Sequence, residues 1–560
     1  MIRPLLLAAT LLAAPMAQAQ GTAGPYLAAR IAGFSNDYAA AGRYYDRLIR
    51  AEAAGPQVLE NAIVINSVLG RFDRAAEAAQ MLEEAGGSSQ FGDNARLVVA
   101  LQEGDFARAS ELMTDATIGG TLLDGLLRGW IAAAGGETAR ALEAFDAVAE
   151  TQSFAAIAHL HKAFVLSMAG DFESAEEIYS GEKHGPMNLT ARGVEAHAQA
   201  LVQLDRRDDA LELLEAALGL TNSPVLEDLQ ARIAAGETVL WDVIRDPKDG
   251  MAEAYFTLAA ILAGETSATY ALLNARAATV LRPDHVDGAV LVGELMEEQG
   301  QYALADEALT AVPRDHPSYF AAEITRAEIL LAAEREEAAL EVLSALTRSN
   351  PDRRLVWTAY ADALRRLERF ERAADAYDRA LALVDEVTAR DWFLFYARGI
   401  AREREDRWEE AEGDFRRALE LNPDQPQVLN YLGYGLVEKR VKLDEALDMI
   451  ERAVAARPDD GYITDSLGWV LYRLGRYDEA VEPMERAVQL RPMDPIINDH
   501  LGDVLWMVDR KREARFQWRR ALSLDPEEAE AERIRRKLEV GLEIVLEEEE
   551  AAAPIAAAQE

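Results

Sequence analysis

Cysteine is absent from all 560 residues. That absence excludes disulfides, thiolate metal sites, a cysteine nucleophile and a lipid-modified N-terminal cysteine together. Histidine is scarce at 7, and 58 Lys and Arg face 98 Asp and Glu, for a formal net charge of −40. A surface of that sign repels nucleic acid and anionic lipid headgroups, so neither is expected as a partner. It also keeps a long exposed chain soluble whatever that chain binds, so the charge excludes partners without naming one. Long apolar runs are missing as well. The run from Leu5 to Ala14 falls well short of the ~20 residues that span a bilayer, and no later segment is uninterruptedly apolar over such a length. The chain contains no Walker-type phosphate loop, no G-x-S-x-G elbow and no H-E-x-x-H helix. His159 and His161 are two residues apart, which on a helix turns them about 200° from each other, so they cannot share a metal. Close carboxylate pairs are unavoidable in so acidic a chain, and none signals acid–base chemistry without a pocket to perturb it. No catalytic residue, metal site or cofactor is expected.

What the chain does have begins with its first twenty residues, MIRPLLLAATLLAAPMAQAQ, where Arg3 precedes the apolar run and Ala17-Gln18-Ala19 closes it. That is the pattern of a secretory signal peptide over 1–19, with a mature protein starting near Gln20 and exported.

Beyond it, richness in Ala and Leu favours helix, and self-similarity decides the architecture. Prolines recur at Pro283, Pro317 and Pro351, then at Pro423, Pro458, Pro492 and Pro526, in steps of 34 or 35 apart from one gap of two repeats. Ala271, Ala305, Ala339, Ala373, Ala411, Ala446, Ala480 and Ala514 keep the same beat. A fainter ladder, Ala41, Ala75, Ala109, Ala141, Ala175 and Ala210, runs through the N-terminal half. Aromatics three residues earlier, such as Tyr38, Phe72, Phe370 and Tyr477, reinforce both. Between Ala210 and Ala271 the step is 61 residues and the beat breaks.

The clearest unit, residues 461–494, "GYITDSLGWVLYRLGRYDEAVEPMERAVQLRPMD", resembles the tetratricopeptide repeat, two antiparallel helices in 34 residues. Leu467 and Gly468 match its first helix, Ala480 and Ala487 the small residues of its second, and Pro492 its terminator. The physics agrees: Gly and Ala suit the points where helices cross closely, and Pro cannot continue a helix. The expected fold is therefore all-α, a superhelical solenoid of about 14 helix pairs in two segments. Its divisions are degenerate repeats over 20–217, an irregular junction over 218–251, eight repeats over 252–528, a capping helix over 529–546 and a disordered tail over 547–560. The junction holds Asn222-Ser223-Pro224 and Asp246-Pro247-Lys248-Asp249-Gly250, both read as breaks. In the cap, Ile534, Leu538, Leu542 and Val545 lie on one side with charges on the other.

The resemblance implies a concave wall, lined by the first helix of each pair, that binds peptides or protein segments. In the family's register the inward positions of the last three repeats are Gln427, Asn430, Tyr434 and Val437; Tyr462, Asp465, Trp469 and Tyr472; and Ile496, Asp499, Asp503 and Trp506. This is an aromatic wall with carboxylates in it, and Tyr and Trp are over-represented in binding hot spots. Packing between neighbouring repeats is the competing role for Tyr472 and Trp506. Some members clamp a C-terminal carboxylate with Lys, Arg and Asn at these positions; Asp465, Asp499 and Asp503 would repel one, so a basic or neutral, partly apolar segment is the better expectation. Residues 428–487 are similar to the outer-membrane lipoprotein adaptors that deliver cell-wall hydrolases to a C-terminal processing protease. That similarity implies a periplasmic, non-enzymatic adaptor or scaffold, peripheral to the outer membrane, with an envelope protease or peptidoglycan hydrolase as partner. The lipid-accepting Cys of those adaptors is missing here. A structural subunit of an envelope assembly is the alternative, followed by a repeat-bearing transferase, for whose catalytic domain the chain leaves no room.

Overall fold

The computed structural model describes residues 22–115, 118–264 and 268–556, so the signal peptide expected over 1–19 and the last four residues of the expected tail lie outside the described residues. Among the described residues there is helix, turn and loop but no strand. Helices follow one another as hairpins, from Ala23–Phe34 with Tyr38–Arg50 to Pro495–Met507 with Lys511–Leu522. All fourteen alanines of the two ladders sit in the second helix of a hairpin and are fully buried. A larger side chain at those crossings would push the paired helices apart.

The chain divides into two compact units, residues 1–342 and 343–560. The beat-breaking stretch 218–251 therefore falls inside the first unit. Both of its proline motifs start helices. Ser223 caps Pro224–Ala234 by accepting from the Leu226 amide, and Asp246 caps Pro247–Ala263 by accepting from the amides of Lys248 and Asp249. In each case the proline takes the first helical position, where a missing N–H costs nothing. Between these helices, the carbonyls of the irregular segment are satisfied by side chains: Gln203 donates to Val239 O at 2.7 Å, and Arg282 to Val243 O at 2.8 Å. Val243 and Ile244 are buried in the core of the unit.

The first unit is more than a stack of neighbours. The Pro247–Ala263 helix packs on Gly120–Ala134, and Ala268–Leu281 on Pro56–Val68 and Gln90–Glu103. Hydrogen bonds add further links over long stretches of chain: Tyr255 Oη to Asn94 Oδ1 at 2.7 Å, Arg276 Nε to Val68 O at 3.1 Å, and Tyr38 Oη to Gln299 Oε1. Gly250 is needed at one such approach, because a Cβ there would come within 2.3 Å of the Trp130 ring.

In the second unit the expected single cap is two helices, Glu528–Val540 and Leu542–Ala556, so helix continues beyond 546. Gly541 separates them at φ 93°, a conformation that favours glycine, and a Cβ at this position would meet Trp506 at 2.8 Å. Ile534, Leu542 and Val545 are buried as an apolar stripe should be.

Candidate functional site

In the second unit, the first helices of the last three pairs are Pro426–Glu438, Gly461–Arg473 and Pro495–Met507. They carry every inward position named from the register. Tyr462 and Ile496 remain exposed, at 52% and 44%, and the Arg491 guanidinium lies 5.0 Å over the Tyr462 ring. The other aromatics are covered. Trp469 is buried, stacked on His500 at 4.0 Å between centroids and on Tyr472 at 4.8 Å, and its indole N–H donates to Glu438 Oε1 at 2.7 Å. Trp506 is buried against Trp518 and donates to Glu543 Oε2 at 2.6 Å. Tyr434 is half-buried, and burial pushes its phenol up. Asn430 and Gln427 each hold a buried amide oxygen with no partner among the described residues.

The carboxylates expected to give the wall its charge are spent internally. Asp465 is buried on the Nδ1 edge of His500, 3.0 Å away. Burial pushes that imidazole down, but Asp465, with help from Asp499 and Asp503, outweighs it and holds the ring above its ordinary value. Asp503, fully buried, accepts from Trp518 Nε1 at 2.9 Å and from Lys537 Nζ at 2.7 and 2.8 Å. Lys537 is itself fully buried and also reaches Asp499 Oδ2 at 2.7 Å. Arg533 stands 3.5 Å from Asp503 and 3.6 Å from Asp499. Both cations come from the Glu528–Val540 helix, outside the repeat period. The repulsion of an incoming carboxylate by Asp499 and Asp503 is thus offset, and of the named aromatic and aliphatic positions Tyr462 and Ile496 are exposed while Tyr434 is half-buried.

A large hollow lies in the first unit, at residues outside the register positions named above. It has a volume of about 780 Å³ and is lined by the first helices of four pairs, Ala155–Met168, Pro247–Ala263, Val286–Glu298 and Tyr319–Ala332, and by the start of a fifth, Ala191–Gln203. Its walls are half-buried apolar side chains, among them Ile157, Leu160, Met187, Phe256, Val290 and Leu291. On Pro247–Ala263 the lining positions 253, 256, 257 and 260, and on Val286–Glu298 the positions 287, 290, 291 and 294, recur at i, i+3, i+4 and i+7, as one helical face requires.

An ionic floor underlies this hollow. Arg192 Nε donates to Glu253 Oε2 at 3.2 Å, and its guanidinium lies 3.7 Å from Glu195. His285 accepts from the Gly288 amide through Nδ1, which places its proton on Nε2, 3.3 Å from Glu253. Burial pushes the Glu253 carboxyl up, yet Arg192 and His285 outweigh it and hold it far below the carboxylate range. Glu195 goes the other way, pushed up to about 7 by burial against the pull of Arg192. A second hollow of about 760 Å³ shares Ala191, Arg192, Val286, Asp287 and Ser318 with the first, so the two adjoin along these residues. Its lining is more polar, including Asp242, Asp284, Arg245 and Asp315. One signal in the chain pointed here: Glu253 is a lone charge in the otherwise apolar run MAEAYFTLAAILA. As for the histidine pair, His159 stacks on His184 at 3.8 Å, while His161 is buried and accepts from Trp130 Nε1 at 2.9 Å.

Comparisons with known proteins agree with the architecture. Family models described as Tetratricopeptide repeat match residues 26–89, 126–184 and 439–495, residues 296–363, and residues 392–425, together half of the chain. A TPR repeat-containing protein of Pseudomonas aeruginosa is 31% identical over 187 residues, 33% of this chain and 31% of that protein. The chain therefore matches less than a third of that relative's length. Among solved structures, a chain of the Cut9–Hcn1 hetero-tetramer of the APC/C is similar at 16% identity, over 94% of this chain and 97% of that one, with a TM-score of 0.38. A tetratricopeptide repeat protein of Parabacteroides merdae is similar at 18% identity, over 45% and 97%, with a TM-score of 0.37. With the ladder, the hairpins that bury it and the family models in agreement, the chain belongs to the tetratricopeptide repeat family.

Proposed function

We propose that this protein is a non-enzymatic, protein-binding adaptor or scaffold of the bacterial periplasm that holds a client or partner against the first helices of its repeats. The observation that carries this reading is the 780 Å³ hollow of the first unit, open, walled by apolar side chains and built from those helices. Hollows of this size and lining are where proteins take up ligands. Exposed Tyr462 and Ile496 offer a further contact in the second unit. The periplasmic place rests on the leader in 1–19, and the partner class, an envelope protease or peptidoglycan hydrolase, on the similarity of residues 428–487 to adaptors of such systems.

Affinity purification of the tagged protein from the cell envelope tests it. An adaptor co-purifies with a protease or hydrolase; enrichment of the components of a larger envelope machine instead would favour the structural-subunit reading. Mass analysis of the same material should show an N-terminus near Gln20, and recovery of intact Met1 from cytosol would refute export.

A further inference from the structure

The apolar hollow has an acidic margin that makes no ion pair among the described residues, although Asp287 lies within the field of Arg192 and His316. On the Val286–Glu298 helix, Asp287, Val290, Leu291 and Glu294 share the face turned to the hollow, so two carboxylates bracket two apolar side chains. Both carboxylates are exposed, and neither makes an ion pair among the described residues. The contrast is with the other charges nearby. Glu253 is taken by Arg192 and His285, while Asp284 is held by Arg245 at 2.8 Å. Arg192 is the one cation lining the hollow, and it is engaged with Glu253 and Glu195. In the adjoining polar hollow Arg192, Arg232, Arg245 and Arg282 face Glu195, Asp228, Asp242, Asp284, Asp287 and Asp315, and all four arginines already lie beside carboxylates. There Asp242 has only the Gln199 amide, at 2.7 Å, and Asp315 has no ion-pair partner among the described residues.

We infer that the two adjoining hollows form a docking groove for a partner polypeptide segment in which an apolar stretch is followed by one bearing Lys or Arg. The apolar stretch lies against Ile157, Leu160, Phe256, Val290 and Leu291. The basic side chains reach Asp287 and Glu294 on one side and Asp242 and Asp315 on the other. Charge complementarity argues for this occupant over a fatty acyl chain, whose carboxylate would meet acids with no free cation to receive it. Partial desolvation beside the apolar wall and the neighbouring Glu298 and Glu297 push the Glu294 carboxyl up, so an arriving cation relieves a site that is already crowded with negative charge. This inference rests on the protein-binding reading and names the chemistry of the partner at one place.

The test uses the full-length mature chain and short fluorescein-labelled peptides. The first has a Leu/Ala/Val stretch followed by a Ser/Gly stretch containing two Lys; the second replaces both Lys with Glu; the third replaces every Leu with Ser. Fluorescence anisotropy should show the Lys peptide binding at least about tenfold more tightly than either control, and its affinity should fall as salt rises. The double variant Asp287→Asn/Glu294→Gln touches only exposed groups, so it should fold normally. It should weaken the Lys peptide about tenfold and abolish discrimination between Lys and Glu peptides. Phe256→Ala should weaken both alike. Equal binding of Lys and Glu peptides, an unchanged affinity in the double variant, failure of all the peptides to bind, or capture of a fatty acid in place of the Lys peptide would each overturn the inference. The two readings fail separately. Envelope partners that still co-purify with the double variant and with Phe256→Ala leave the adaptor standing without this groove. Tight, charge-selective peptide binding with no co-purifying partner leaves the groove without the adaptor.

Discussion

Lys537→Met removes one ammonium and keeps most of the apolar stem. In the folded protein Lys537 Nζ lies 2.7 Å from Asp499 Oδ2 and 2.7 and 2.8 Å from the two oxygens of Asp503. Without it two carboxylates remain in the interior, one of them fully buried, and what is left to offset them is Arg533 at 3.5 and 3.6 Å and the His500 imidazole, itself engaged with Asp465. Breaking a buried ion pair from one side costs about 3–5 kcal/mol, because the surviving charge is left uncompensated. The presence of Arg533 argues for the lower end. Since the chain has two compact units, global unfolding is not a two-state event and one midpoint would mislead. Amide hydrogen exchange resolved by peptide is the suitable assay. Protection in Pro495–Met507 and Glu528–Val540 should fall by roughly two to nearly four powers of ten, with helices of the first unit unchanged. Lowering the pH should restore part of it. Burial and Asp503 already push the Asp499 carboxyl up, and losing Lys537 pushes it further. A raised carboxyl takes up a proton in the folded state before it does in the unfolded one, so stability returns as pH falls through the folded value. The triple variant Lys537→Met/Asp499→Asn/Asp503→Asn, with the charges gone, should regain most of the loss. Unchanged protection in Lys537→Met, or a loss that the triple variant shares in full, would refute this account of how the C-terminal helices are held.

Trp469→Ala should lower the second unit's melting temperature, at a cost of about 3–5 kcal/mol, since a buried, stacked and hydrogen-bonded ring is removed. Tyr462→Ala, at an exposed ring, should leave it nearly unchanged and affect only partner affinity. Gly250→Ala should cost about 1–3 kcal/mol in calorimetry, because Trp130 is tied to His161 and cannot swing away from the added Cβ. Acid should destabilise the first unit through His161 and His197, which burial pushes down to about 4 against the pull of Glu253 and Glu176. Between pH 6.5 and 4 the unfolded chain binds protons that these folded rings refuse, a loss on the order of 3 kcal/mol for each by pH 4; His161→Asn should flatten the melting temperature against pH over that range. A fragment of residues 252–560 should expose apolar surface and bind a hydrophobic dye, because the helices after the break pack on Gly120–Ala134 and Pro56–Val68; dye binding no greater than that of the intact chain would count against the closed first unit.

What could be read from the sequence, and what could not, follows from the range over which each interaction repeats. The alanine ladders were legible because the crossing of two paired helices recurs every repeat and admits the same small residue each time; the fourteen alanines are fully buried for that reason. The closure of the first unit was not legible. Tyr255 with Asn94, Arg276 with Val68 and Tyr38 with Gln299 each occur once, across long stretches of chain, and a single pairing leaves no periodic mark. The proline motifs at 222–224 and 246–250 show a subtler ambiguity, since Ser-Pro and Asp-Pro serve equally as loop punctuation and as cap plus first helical residue. Which role they take depends on whether the helix that follows has something to pack on, and Trp130 supplies it at Gly250.

The site shows the same limit. A family register assigns Trp469, Asp499 and Asp503 to a helix, but what covers them is decided by residues that the register does not contain. Glu438 and His500 lie in the neighbouring repeats and close over Trp469. Lys537 and Arg533 lie outside the repeats altogether and neutralise the two aspartates. A carboxylate at an inward position is therefore available to a ligand only where no cation of the same chain reaches it first. In the described residues that condition is met at Asp287 and Glu294, beside the apolar wall of the first unit, and failed at Asp499 and Asp503. Unpaired charge next to unfilled apolar volume, rather than register alone, is what separates a surface built to hold the chain together from one left open for another.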